Sequence, residues 1–198
     1  GSGGGSGNNN TITGTAAEVI ETLESKSSDY SGTITVTDAN GTSITATNLS
    51  AIGAATTGTV TVTNAVNIIG DHDEVTAALV TASTKVVVSG ATVTINDANA
   101  TAITATELSA IGAATTGTVT VTNAVTISGT TSELIDALIT SSSKVTASTS
   151  NLTISDTPST AQLYALDDST TGSITSGSGG GGSGGGSGNN NTITGTAA

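Results

Sequence analysis

The stretch SAIGAATTGTVTVTNAV stands at Ser50–Val66 and again, without a change, at Ser109–Val125, an offset of 59 residues. Seventeen identities at a fixed offset make repetition the first property to read, ahead of any single motif. Inside the stretch, TVTVTN alternates valine with threonine and closes on asparagine. Alternation of period two is the pattern of a half-buried strand. The same phrase occurs five times: TITVTD (Thr33–Asp38), TVTVTN (Thr59–Asn64), TVTIND (Thr92–Asp97), TVTVTN (Thr118–Asn123) and NLTISD (Asn151–Asp156). The closing residues Asp38, Asn64, Asp97, Asn123 and Asp156 are spaced 26, 33, 26 and 33. The 59-residue repeat is therefore two sub-repeats, each about the length of one solenoid coil.

Two kinds of helix lie between the strand phrases. One reads TAAEVIETL (Thr15–Leu23), DHDEVTAAL (Asp71–Leu79) and TTSELIDAL (Thr130–Leu138). Thr15 with Glu18, Asp71 with Glu74 and Thr130 with Glu133 form capping boxes. Val19/Leu23, Val75/Leu79 and Leu134/Leu138 are i,i+4 pairs that share one face. The other kind is shorter: TNLSAIGAA from Thr47, TELSAIGAA from Thr106, and the divergent TPSTAQLYALDD with Thr157 as the expected cap and Pro158 at the first helical position. Further strand pieces precede the first kind (NTITG, VNIIG, VTISG) and follow it (KVVVS, KVTAS). Between TVTVTN and VTISG there is no room for a hairpin loop, so the chain is expected to turn a corner as a bent strand. Strand–helix–strand alternation implies parallel neighbours and right-handed crossovers. The expected fold is α/β: a right-handed parallel solenoid of bent strands and short capped helices, about six coils per 181-residue period.

That period comes from a second repetition. Gly1–Ala17 reappears as Gly182–Ala198. The chain reads as one full period plus the start of the next, a window on something longer or a unit that continues head to tail. Residues 8–176 are read as the repetitive solenoid, 177–188 as a Gly/Ser-rich loop or linker, and 189–198 as a copy of 8–17. In the aligned copies the glycine tract falls between two halves of a bent strand.

Composition excludes several classes. The 198 residues carry a formal charge of −12, three basic residues, two tyrosines and no Phe, Trp, Met or Cys. The core must be built from Val, Ile, Leu and Ala, which suits a thin stacked interior. Three cations cannot make a nucleic-acid footprint or a polybasic membrane anchor. No apolar run approaches the ~18 residues of a membrane span. Without cysteine there are no disulfides and no thiolate metal sites.

Candidate site residues are few. His72, the only histidine, has no second histidine or thiol to complete a catalytic or metal set, and reads as a solvated residue in the first turn of a helix. DANGT (Asp38–Thr42) and NDANAT (Asn96–Thr101) place oxygen ligands at alternate positions. Asp38, Asn40, Asp97 and Asn99 are the calcium candidates, although the loops lack the terminal glutamate of an EF-hand. The competing reading is Asx turns at strand ends, with Asp38, Asn64, Asp97, Asn123 and Asp156 stacked as an internal ladder. Lys26, Lys85 and Lys144, spaced 59 and 59, read as charges offsetting helix C-termini. The TxT phrases, stacked coil on coil, would form a flat hydroxyl array of the ice-binding type.

The Thr/Ala/Val/Gly-rich units TGTVTVTNAVTISGT and TATELSAIGAATT resemble the tandem repeats of giant bacterial cell-surface proteins, of the kind required for swimming in marine cyanobacteria. The resemblance implies an extracellular, cell-surface, structural role and brings no catalytic residues. The expectation is a non-enzymatic filament protein whose partner is itself, with no cofactor unless calcium. The alternatives are an ice-binding module and a calcium-dependent adhesin.

Overall fold

A computed structural model describes residues 10–26, 30–81, 83, 85–140, 142–176 and, for the backbone, 193–195. Its elements run in chain order as β1 (Ile12–Gly14), α1 (Ala16–Glu24), β2 (Ile34–Val36), β3 (Ser43–Thr45), α2 (Ala46–Ala54), β4 (Val60–Val62), β5 (Asn67–Gly70) and α3 (His72–Val75, continued by a π-helical turn over Thr76–Val80). They continue as β6 (Val86–Val88), β7 (Thr92–Ile95), β8 (Ala102–Thr104), α4 (Ala105–Ala113), β9 (Val119–Val121), β10 (Thr126–Gly129) and α5 (Thr131–Leu138). Last come β11 (Val145–Thr146), β12 (Asn151–Ile154), α6 (Thr160–Ser169), β13 (Ile174–Ser176) and β14 (Ile193–Gly195).

The described strands form three sheets, all parallel. The first has the order β1-β2-β4-β6, the second β3-β5-β7-β9-β11 and the third β8-β10-β12-β13-β14. None closes into a barrel. The register follows the alternation read from the sequence. Ile12, Ile34, Val60 and Val86 are in line across the first sheet. Ile44, Ile68, Val93, Val119 and Val145 are in line across the second. Ile103, Ile127, Leu152 and Ile174 are in line across the third. These residues face inward and, apart from half-buried Val86, are buried; the intervening threonines mostly face out.

Corresponding strands of successive 59-residue repeats occupy different sheets. β2, β7 and β12 are copies of one phrase, and they lie in the first, second and third sheet respectively. The same holds for β1, β5 and β10, and for β4, β9 and β13. The cause is the alternation of 26 and 33 residues. The 33-residue step has room for an extra strand, which moves the chain one sheet along. That extra strand is β6 in the step from Asn64 to Asp97, and β11 is its counterpart in the step from Asn123 to Asp156.

The helices form a single row, each packed on the next from α1 to α6. Their inward faces carry Val19, Leu49, Ile52, Val75, Leu108, Ile111, Leu134 and Leu166, all fully buried. The expected capping boxes are present on α1, α3 and α5. The second kind of helix starts earlier than its sequence suggested. Thr45 and Thr104 are the caps of α2 and α4, because each hydroxyl accepts the N–H three residues on. The cap of α6 is Ser159 and not Thr157, because the Ser159 hydroxyl accepts the N–H of Gln162 while the Gln162 side chain accepts that of Ser159; Pro158 thus lies before the cap and not at the first helical position.

The corner between β4 and β5, and its copy between β9 and β10, is a three-residue turn. Val66 N–H donates to the Asn64 carbonyl and Val125 N–H to the Asn123 carbonyl, both at 2.9 Å. So the chain does bend from one sheet into the next without a loop. β13 and β14 differ. They are parallel neighbours within the third sheet, Ile174 opposite Ile193, and not two halves of one bent strand as the alignment of copies implied. Residues 177–192, which connect them, lie outside the described residues.

Candidate functional site

The residues singled out in the sequence gather where strands end against helix N-termini. The first four N–H groups of a helix lack partners within it. In α1, Thr15 accepts the N–H of Glu18, and Asp38, from the end of β2, accepts the N–H of Ala16 at 2.7 Å. In α3, Asp97 accepts the N–H of His72 at 2.8 Å. In α5, Asp156 accepts both the N–H and the hydroxyl of Thr131, at 2.8 and 2.6 Å. Each carboxylate thus joins two levels of the fold and places negative charge at a helix N-terminus. The hydroxyl and the N–H of Thr131 hold the Asp156 carboxyl below its ordinary pKa. Hydrogen bonds within their own caps do the same for Glu18, from Thr15, and for Glu107, from Thr104.

The loop that follows is pinned in the same way. The Asn64 amide donates to the Asp38 carbonyl at 2.7 Å, and the Asn123 amide to the Asp97 carbonyl at 2.6 Å. Asn40 accepts the N–H of Ala65 at 2.9 Å, and Asn99 that of Ala124 at 3.1 Å. The turn needs a left-handed residue, Gly41 at φ 77° in one copy and Ala100 at φ 65° in the other.

The five residues expected to form one ladder therefore form two pairs, Asp38–Asn64 and Asp97–Asn123, with Asp156 apart. The 33-residue step carries each pair into a different sheet, so no single stack exists. The calcium candidates Asp38, Asn40, Asp97 and Asn99 each spend a side-chain oxygen on a backbone N–H. Among the described residues no three His, Asp or Glu side chains come together as a metal cluster.

His72 is not a solvated residue. It is 9% exposed, and its Nδ1 lies 2.7 Å from the Oδ1 of Asp97, itself 6% exposed. Burial pulls the imidazole pKa down, but the hydrogen bond and charge of Asp97, with the charges of Asp73 and Glu107, outweigh it and raise the pKa above its ordinary value. The pair takes the place held by Ala16 with Asp38, and by Thr131 with Asp156, in the other copies.

The lysines also read differently in three dimensions. Lys85 and Lys144 lie beyond their helices, in left-handed conformation at φ 50° and 53°. Their carbonyls start the next strand pairing, accepting from Val60 at 3.1 Å and Val119 at 3.0 Å. The Lys85 ammonium donates to the Thr57 carbonyl at 2.9 Å, and Lys26 sits 5.9 Å from the centre of the Tyr30 ring.

One set of residues escaped the sequence reading. Thr56, Thr115 and Thr170 are buried in the turn before β4, β9 and β13. Each hydroxyl donates to a carbonyl of the level below, that of Gly32, Ala91 or Ser150. Each accepts the N–H of the glycine two residues on, Gly58, Gly117 or Gly172, at 3.0–3.1 Å. A side chain at Gly117 would bring its Cβ to 2.2 Å from the Ala91 carbonyl oxygen, which is why Thr-x-Gly recurs. Nothing but the repetition of T-x-G could have signalled this clamp.

The outer face of the first sheet carries paired threonines. Thr13, Thr35 and Thr61 are in register, followed by Val87. Thr11, Thr33 and Thr59 precede them on the same side, and the hydroxyls of Thr11 and Thr33 are 2.9 Å apart. The columns are set by strand geometry: ~4.8 Å between strands and roughly 6.7 Å along them. In the second sheet the pattern is broken by Asn67, which accepts from Thr92 and Thr94 at 3.1 Å each, and by Ile69.

No helix among the described residues is long and apolar enough to cross a membrane. Compared with family models, curated proteins and solved structures, the chain finds no match.

Proposed function

We propose that this chain is a structural repeat protein, a stretch of right-handed parallel solenoid that builds a long extracellular fibre by stacking level on level with copies of itself. The observation that carries the reading is the advance of each 59-residue repeat by one parallel sheet. A unit that adds one level at a time has no internal reason to stop. Among the described residues its sheets have open parallel edges at β1 and β14, and such edges invite further strands. The polar residues support the same view. The carboxylates, amides and buried hydroxyls that looked chemical from sequence are bonded to the backbone of neighbouring levels, as expected of residues selected to hold a stack. On the resemblance to bacterial cell-surface repeats, such a fibre would lie outside the cell. Electron microscopy and sedimentation of the purified chain test the proposal. Unbranched fibres, or a concentration-dependent series of oligomers, support it; a monomer at every concentration refutes it.

A second reading draws on the three in-register TxT rungs of the first sheet, Thr11/Thr13, Thr33/Thr35 and Thr59/Thr61. A flat, rigid hydroxyl array with two fixed spacings is suited to ordering water, and so to binding ice. Thermal hysteresis in the wild-type chain, lost in Thr35→Lys, would favour it. No hysteresis at millimolar protein would dismiss it.

A further inference from the structure

One strand sequence occupies two positions. β1 and β14 both read ITG, within the seventeen residues shared by Gly1–Ala17 and Gly182–Ala198. As β1 it lies next to β2, with Ile12 opposite Ile34 and Thr13 opposite Thr35. As β14 it lies next to β13, with Ile193 opposite Ile174 and Thr194 opposite Thr175.

The two pairings use opposite edges of the strand. In β1, the Ile12 N–H donates to the Thr33 carbonyl at 3.0 Å, and the Gly14 carbonyl accepts from Thr37 at 2.9 Å. The groups of Ile12 and Gly14 therefore face β2, and the pleat aims those of Thr11 and Thr13 at the other edge. No described strand pairs there. The polarity is uniform through the molecule. Ile34 donates to Thr59, Val93 to Thr118 and Leu152 to Ser173, each to the strand reached after the next helix. By the same rule the open edge of β14 presents the groups that hold β2 in β1, and the open edge of β1 presents those that meet β13 in β14.

We infer that a second copy of this chain docks at this place, and that the joint is a single shared ITG rung. The third sheet of one copy continues into the first sheet of the next, in the order β13, ITG, β2. Either copy's ITG segment fills the middle position. The inference rests on the self-stacking reading and gives it a site. Size and polarity continue across the joint. Ile174 and Ile34, both fully buried, flank the inward position of the shared rung, and Thr175 and Thr35 flank the outward one. Because the chain carries a net charge of −12, copies repel at long range, and salt promotes docking by screening that repulsion.

The chain has no cysteine, so introduced thiols report the joint cleanly. In-register residues of neighbouring strands lie ~4.8 Å apart, within the span a disulfide bridges. Full-length Thr175→Cys mixed with a size-tagged Thr13→Cys tests one filling of the slot; Thr194→Cys mixed with Thr35→Cys tests the other. In 0.5 M salt under mild oxidation, at least one pair is expected to give a mixed disulfide dimer several-fold above a Thr175→Cys plus Thr61→Cys control. Thr13→Pro removes an N–H from the open edge of β1 and Ile193→Pro one from the open edge of β14, and neither N–H serves the β1–β2 or the β13–β14 pairing. The double variant blocks both fillings and is expected to reduce association at least tenfold with little change in melting temperature. If the wild type associates but neither cysteine pair exceeds the control, the joint is wrong and self-stacking stands. If the wild type remains monomeric at every concentration and salt, the self-stacking reading falls and the joint with it.

Discussion

Replacing His72 tests whether the strand-end carboxylates act as clamps between levels. His72 and Asp97 are both buried, 2.7 Å apart, and the His72 N–H also donates to the same carboxylate. Removing one member of a buried ion pair costs about 3–5 kcal/mol. Asp97 keeps the backbone bond in His72→Ala, so the expected loss is near the lower end, about 3 kcal/mol at pH 5.5. His72→Thr recreates the Thr131–Asp156 arrangement, in which a hydroxyl meets the carboxylate at 2.6 Å. It should recover about half of that loss, the worth of one hydrogen bond to a charged group. The sign of the pH dependence follows from the raised pKa of His72. The group binds its proton more tightly when folded, so its contribution is complete below the unfolded value of about 6.5 and fades as pH rises through the folded value. Urea unfolding followed by circular dichroism at pH 5.5 and pH 9 provides the assay. The wild type should exceed His72→Thr by more at pH 5.5 than at pH 9, the difference between variants cancelling the titration of the other carboxylates. An advantage that is equal at both pH values, or larger at pH 9, would refute the ion-pair account.

Three further outcomes follow from the same geometry. Thr115→Val leaves the Ala91 carbonyl and the Gly117 N–H without their buried partner and should cost about 1–3 kcal/mol, whereas Thr115→Ser should cost little; urea midpoints distinguish them. Ile34→Ala empties a fully buried place between Ile12 and Val60 and should cost about 2–5 kcal/mol in the same assay. Because the side-chain oxygens of Asn40 and Asn99, and one from each of Asp38 and Asp97, already bond to backbone N–H groups, adding calcium or EGTA should leave the melting temperature unchanged.

The strands that sequence exposed best are those in which alternation runs over six residues, TITVTD and its copies, and the helices it exposed best are those with a Thr or Asp three residues before a Glu. Both signals are local. β3 and β8 were missed because SIT and AIT are only three residues long, pressed between an Asx turn and a helix cap, too short for alternation to register. β3 opens the second sheet and β8 the third, so without them the advance from sheet to sheet stayed hidden. That advance depends on which strands pair, which is a long-range matter in a parallel sheet. The partner of His72 lies 25 residues away, so the histidine looked isolated in its helix. Thr56, Thr115 and Thr170 were hidden by abundance: among so many exposed threonines, three buried ones carry no mark. The ladder of Asp and Asn failed for the same reason as the sheets, since equal phrases were assumed to stack on one another.

The central claim is that levels continue from one 181-residue period to the next by parallel strand stacking, and the axial repeat of a fibre measures it most directly. In the structure, β1 and β14 are separated by seven levels, six reached through helices and the seventh between β13 and β14. At ~4.8 Å per level the repeat should be ~34 Å. Fibre diffraction or helical reconstruction should show a strong axial 4.8 Å layer line and a true repeat near that value. A repeat of ~29 Å would mean that the glycine tract lies within one bent strand and adds no level. The absence of any axial 4.8 Å order would contradict the account as a whole.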